Sequence, residues 1–132
     1  MKVISLLLAS ALAASCASSG QQSLGPGSKV WSSSELNSMK REMDGVEVLV
    51  DAYLIHEPEN YSLWDNKQAK GKGDPGSCIS LIYPEPLAGA VRQSNRKQVR
   101  LRGTFVRDVT ADGGVYLGLC NYTGFRVAEI LR

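Results

Sequence analysis

Residues 46–55 (VEVLVDAYLI) constrain the fold more than any other stretch of this chain. Read as an extended strand, they put Val46, Val48, Val50, Ala52 and Leu54 on one side. Glu47, Leu49, Asp51, Tyr53 and Ile55 fall on the other, so one face is wholly apolar and the other mixed. Ten residues exceed the usual strand length of about five or six. A strand this long can bend and serve two sheets of one small barrel, and the segments after it read as the rest of that barrel.

Those segments alternate in the same way. After a turn at residues 56–60 with Pro58 withholding a backbone donor, residues 61–64 form a short second strand. Residues 65–77 (DNKQAKGKGDPGS) read as a long polar loop, a kind of segment in which binding often resides. Residues 78–83 form a third strand, and residues 87–91 a possible helical turn before a basic stretch with Arg92, Arg96 and Lys97. Residues 99–106 alternate most cleanly: Val99, Leu101, Gly103 and Phe105 face in, while Arg100, Arg102 and Thr104 face out. Gly103 is the position where such a strand bulges or is closely approached. Residues 115–120 read as a fifth strand, and residues 125–131 close the chain.

Upstream, Ser33 and Ser34 with Glu35 mark a helix start. Leu36, Met39 and Met43 share a face that would dock on the barrel, and Gly45 stops the helix. Residues 17–32 are rich in Ser, Gly and Gln and read as a flexible linker with a reach of roughly 20–25 Å.

At the N-terminus, Met1 and Lys2 precede an apolar run at residues 3–14, broken by two serines. That is the size of a signal-peptide core and short of the roughly 20 residues of a spanning helix. Residues 12–16 (LAASC) resemble a bacterial lipoprotein signal, although Ala13 stands three places before the cysteine where leucine is common. The resemblance implies removal of residues 1–15 and fatty acylation (palmitate or a similar chain) of Cys16. Two or more acyl chains anchor firmly, at about 0.8 kcal/mol per buried methylene. The rival is cleavage after Ala13, which would release a soluble protein. By likeness to Gram-negative lipoproteins, Ala17 and Ser18 lack the aspartate of inner-membrane retention, which implies the outer membrane, facing the periplasm.

The cysteines are Cys16, Cys78 and Cys120. An odd count is awkward in an oxidising compartment, and acylation of Cys16 leaves Cys78 and Cys120 as a disulfide pair; the alternative is two small buried hydrophobes. Without Lys2 the 15 basic residues become 14 against 13 acidic, a balance that argues for no particular partner.

The stretches VEVLVDAYLIHEPENYSLWDNK, CISLIY, KQVRLRGTFVRD and VYLGLC together resemble the oligonucleotide/oligosaccharide-binding (OB) fold of small proteobacterial lipoproteins. The resemblance covers residues 44–130 and implies a mainly β, five-stranded Greek-key barrel with a short N-terminal helix, over residues 33–132. It also makes the third and fifth strands neighbours, which would bring Cys78 near Cys120.

An OB reader of polymers wants rings to stack and cations for phosphate or acidic sugar. Tyr53, Tyr61 and Trp64, with Lys67, Lys70, Lys72, Arg100 and Arg102, are that set. The plainer alternative has Tyr53 and Trp64 filling the barrel and the cations keeping the surface soluble. His56, the sole histidine, could be drawn with Ser62 and Asp51 or Glu57 as a triad, but no nucleophile turn surrounds any serine, and it reads as a strand-end residue on the rim. Glu57 and Glu59 read as solvated turn residues, and the glycosylation patterns at Asn60 and Asn121 as chance. Two thiols and one histidine without close spacing offer no metal site. The expectation is a non-catalytic protein without cofactor or metal, held to the membrane through Cys16 and engaging another envelope component, a protein first and an oligosaccharide second. Nucleic acid is not an expected partner in that compartment.

Overall fold

The computed structural model describes residues 24, 28–111, 113, 114 and 120–131. The signal sequence, Cys16, most of the linker and residues 115–119 of the expected fifth strand lie outside them. The chain is mainly β, with one six-stranded sheet and a few short helices. The strands are β1 (Val30–Trp31), β2 (Glu47–Glu57), β3 (Asn60–Trp64), β4 (Cys78–Ile82), β5 (Lys97–Val106) and β6 (Gly124–Ile130); the helices are α1 (Ser33–Ser38), α2 (Lys67–Lys72) and α3 (Ala88–Gln93).

The sheet order is β1-β2-β3-β4-β6-β5, and β2 also pairs with β5. Hydrogen bonding therefore runs from β2 through β3, β4, β6 and β5 and returns to β2. All pairings in that circuit are antiparallel except β4 with β6. β2 can belong to both ends because it is long: Glu47 to Leu54 pair with β5, and Tyr53 to Glu57 with β3.

Alternation along β2 feeds two apolar clusters. Val48, Val50, Ala52 and Leu54 join the main core with Leu63, Ile79, Leu81, Leu101, Phe105 and Phe125. Tyr53 and Ile55, on the opposite face, join Trp64, Cys78 and Cys120 in a second, smaller one. Val46, grouped with the core face on sequence, precedes the strand and is exposed. In β5, Val99, Leu101, Gly103 and Phe105 are buried as the pattern requires, and the register with β6 shifts between Arg102 and Gly103.

Four sequence expectations need correction. Val30 and Trp31, assigned to the linker, form β1 parallel to Leu49 and Val50 of β2, and Trp31 packs on the core. The N-terminal helix is only six residues long. Ser32 caps it, accepting from the Glu35 amide while the Glu35 carboxylate accepts from the Ser32 amide, a reciprocal box that fixes the start. Leu36 is buried and Met43 packs on the core, but Met39 lies outside the helix and is exposed. Residues 65–77 are not plain loop: Asn66 caps α2, Gly73 closes it at φ 67°, and a 3-10 turn follows at Pro75–Ser77. The parallel neighbour of β4 is β6 at Gly124–Ile130, and Cys120 lies four residues ahead of it.

Cys78 and Cys120 nevertheless sit at disulfide distance, with α-carbons 5.3 Å apart. An amide network surrounds them. The Asn37 and Asn121 side chains each donate to the Cys78 carbonyl, at 3.0 and 3.2 Å, and the buried Thr123 hydroxyl lies between their Oδ1 atoms.

Candidate functional site

The sequence-nominated rings and cations do not form one free binding surface. Tyr53 and Trp64 are directly opposed across β2 and β3, and Trp64 opposes Cys78 across β3 and β4. Both rings are more than 90% buried, and the Trp64 indole donates to Ser62 Oγ at 2.9 Å. Of the three rings, only Tyr61 is exposed, at 37%.

The two arginines are surface residues already matched to carboxylates by the β2–β5–β6 register. Arg100 grips Asp51 with two nitrogens, at 2.8 and 3.0 Å. Arg102 reaches Glu47 at 2.8 Å and Glu129 at 3.2 Å. Hydrogen bonds to those carboxylates, and their charge, push both guanidinium pKa values up. What Arg100 and Arg102 present to solvent is thus close to neutral. Lys67 and Lys70 stand apart from them on α2, with Lys72.

Tyr61 has different company. β2 ends at Glu57, and a tight turn with Pro58 and Glu59 (φ 58°) returns the chain as β3, so His56 is paired with Tyr61. Their ring centroids are 4.6 Å apart. Tyr83, just past β4, closes the group. Its hydroxyl is 2.7 Å from His56 Nε2, and its ring meets Tyr61 edge-on at 6.3 Å. Offset and edge-on contacts of this kind are the favoured geometries for aromatic pairs.

At this end of the sheet several polar groups are held in place. Asn95, following α3, accepts the His56 amide hydrogen at Oδ1, 2.8 Å away. Asn60 Oδ1 accepts from the Ser62 hydroxyl at 2.7 Å. With both amide oxygens occupied, the two NH2 groups are oriented away from those contacts as donors. Glu57 is bound by Arg96 at 2.6 Å, a hydrogen bond and charge contact that raise the arginine's pKa. This end of the sheet therefore carries three touching rings and the Asn95 amide on one face, with Asn60 and the Glu57 carboxylate on the other.

Sequence reasoning named His56 as a rim residue and Tyr61 as a stacking ring, but missed Tyr83, Asn60 and Asn95. Alternation through Ile79 and Leu81 puts Tyr83 on the core side of its strand, where it packs half-buried against the main core, so parity alone gives no sign that its hydroxyl reaches His56. No sequence signal marks Asn95.

Elsewhere, Asp44, Val106, Arg107, Asp108 and Ala111 line an open cleft of about 370 Å³. Its acids serve the backbone: Asp44 accepts from the Arg107 amide at 2.9 Å, and Asp108 from the Thr110 amide and hydroxyl, which lower its pKa. Among the described residues no group of three or more His, Cys, Asp or Glu side chains is placed to hold a metal, and no helix is long and apolar enough to cross a membrane. No family model, no curated protein and no solved structure matches the chain.

Proposed function

We propose that this chain is a non-catalytic binding or assembly module. In this reading it is exported, acylated at Cys16, held on the outer membrane facing the periplasm, and engages another envelope component, a protein. The rim of His56, Tyr61 and Tyr83 carries the reading. Interfaces concentrate their binding energy in a few aromatic side chains ringed by polar groups, and tyrosine is among the commonest of these. The closed pairing circuit with its parallel β4–β6 step supports an OB-like Greek-key barrel as the scaffold. Burial of Tyr53 and Trp64 and neutralisation of Arg100 and Arg102 weigh against a phosphate-tracking surface.

The test is a photo-reactive side chain at Tyr61 in cells, with one at Arg100 as the comparison. A protein adduct specific to position 61, whose co-purification with the wild-type chain is lost on Tyr61→Ala, supports the reading. Identical adducts from both positions would overturn it.

A second reading, an oligosaccharide binder, draws on the same rim: an exposed tyrosine ring near the oriented Asn95 amide is what a pyranose stacks on. Titration with soluble envelope glycans, followed through Tyr61 ring resonances, separates the two. A sugar held this way, by stacking and a neutral amide, would bind with little dependence on salt.

A further inference from the structure

We propose that Lys67, Lys70 and Lys72 form a surface that rests on anionic phospholipid headgroups. The proposal depends on the anchored reading above and adds an orientation to it.

α2 lies between two hydrogen-bonded attachments to α1. Asp65, just before it, accepts the Ser34 amide hydrogen of α1 at 2.8 Å. Gly76, just after it, accepts from Asn37 of α1 at 2.9 Å. α2 is thus fastened on both sides to the helix that follows β1, the point where the chain from Cys16 enters the sheet. Lys29 stands at that entry, paired with Glu35 of α1 at 2.9 Å.

Unpaired charge is densest at the same place. Lys29, Arg96, Arg100 and Arg102 each have a carboxylate within ion-pair distance. Among the described residues Lys67, Lys70 and Lys72 have none; Lys40, Arg41, Arg92, Lys97 and Arg107 have none either, but only α2 gathers three such cations within six residues. The nearest acids in sequence, Asp65 and Asp74, direct oxygens at the backbone amides of Ser34 and Gly76. Lys67 and Lys72 are exposed and Lys70 half-buried. Caps at Asn66 and Gly73 hold the three within one short helix.

Only residues 17–28 separate Cys16 from Lys29, a span of roughly 45 Å even when fully extended. An acyl chain at Cys16 would hold the entry face close to the bilayer, at an effective concentration that makes weak contacts count. Each lysine at an anionic surface raises partitioning roughly fivefold, so three give on the order of a hundredfold.

The experiment couples the chain from Cys16 onward, through that thiol, to a maleimide lipid in vesicles, which reproduces the tether whatever the cell attaches. An amine-reactive reagent then reports each lysine by mass spectrometry. On vesicles with about one-third anionic phospholipid, modification of Lys67, Lys70 and Lys72 should slow roughly fivefold or more relative to zwitterionic vesicles, and recover in about 0.5 M salt. Equal rates on both vesicles overturn the lysine surface. The mass of the Cys16 peptide from cells is a separate result, and an unmodified thiol there overturns the anchor alone.

Discussion

The α-carbon of Gly103 lies against the backbone carbonyl of Arg126, so close that a β-carbon there would fall well inside the oxygen's van der Waals surface. The Phe125 ring closes the same space from the side, 2.8 Å from where that β-carbon would be. β5 shifts register against β6 at this point, and the glycine lets the two strands approach. Neither obstacle is the free end of a flexible side chain, so Gly103→Ala should destabilise the fold by about 2–3 kcal/mol. The urea midpoint should fall with no change in slope.

The Cys78–Cys120 link spans 42 residues of sequence. On the chain-entropy model a loop of that size is worth about 4 kcal/mol, acting through the unfolded state. Replacing both cysteines by alanine should therefore lower the stability by at least roughly that amount, since the pair also fills the small cluster with Tyr53, Ile55 and Trp64. Unfolding measured with and without a dithiol reductant provides the check: the wild type should respond and the double variant should not.

Glu35 has its pKa lowered, chiefly by the hydrogen bond from Lys29 and then by the Ser32 backbone and hydroxyl. The folded value lies below the unfolded one, so the carboxylate's contribution is complete above the ordinary range near pH 4.5 and is lost as pH falls through the folded value. The group is largely exposed, so the contribution is within about 1 kcal/mol. Glu35→Gln should flatten the stability profile below pH 4.5 and leave its slope near neutrality unchanged. Denaturation midpoints taken across that range decide it.

How much of this was legible in the sequence depended on distance along the chain. The inward and outward residues of β2 and β5, and the strain point at Gly103, follow from period-two alternation and one glycine, which are local. The pairs Asp51 with Arg100 and Glu47 with Arg102 depend on the β2–β5 register, which neither strand encodes alone. That is why both arginines read as free cations. α2 was hidden because Gly71 sits within six residues dominated by lysine, and only its caps at Asn66 and Gly73 betray it. β1 was hidden because two apolar residues in a polar tract carry no period. The rim needed three separate segments to meet, although the parity of His56, Tyr61 and Tyr83 along their strands was available.

Trp64 and Tyr61 separate folding from binding. Trp64 is buried among Tyr53, Ile55 and the two cysteines, with its indole nitrogen satisfied by Ser62. Trp64→Ala should cost about 3–5 kcal/mol. Any binding it loses would then follow from unfolding, so it cannot report on a ligand surface. Tyr61 gives up two ring contacts, with His56 and Tyr83, which at about 0.5–1.5 kcal/mol each leave the domain folded. Tyr61→Ala should therefore retain a native circular-dichroism spectrum while losing partner capture, and Tyr61→Phe should retain both if the ring face makes the contact. Loss of capture in the phenylalanine variant would shift the role to the hydroxyl. Unimpaired capture in the alanine variant would remove the rim as the contact surface.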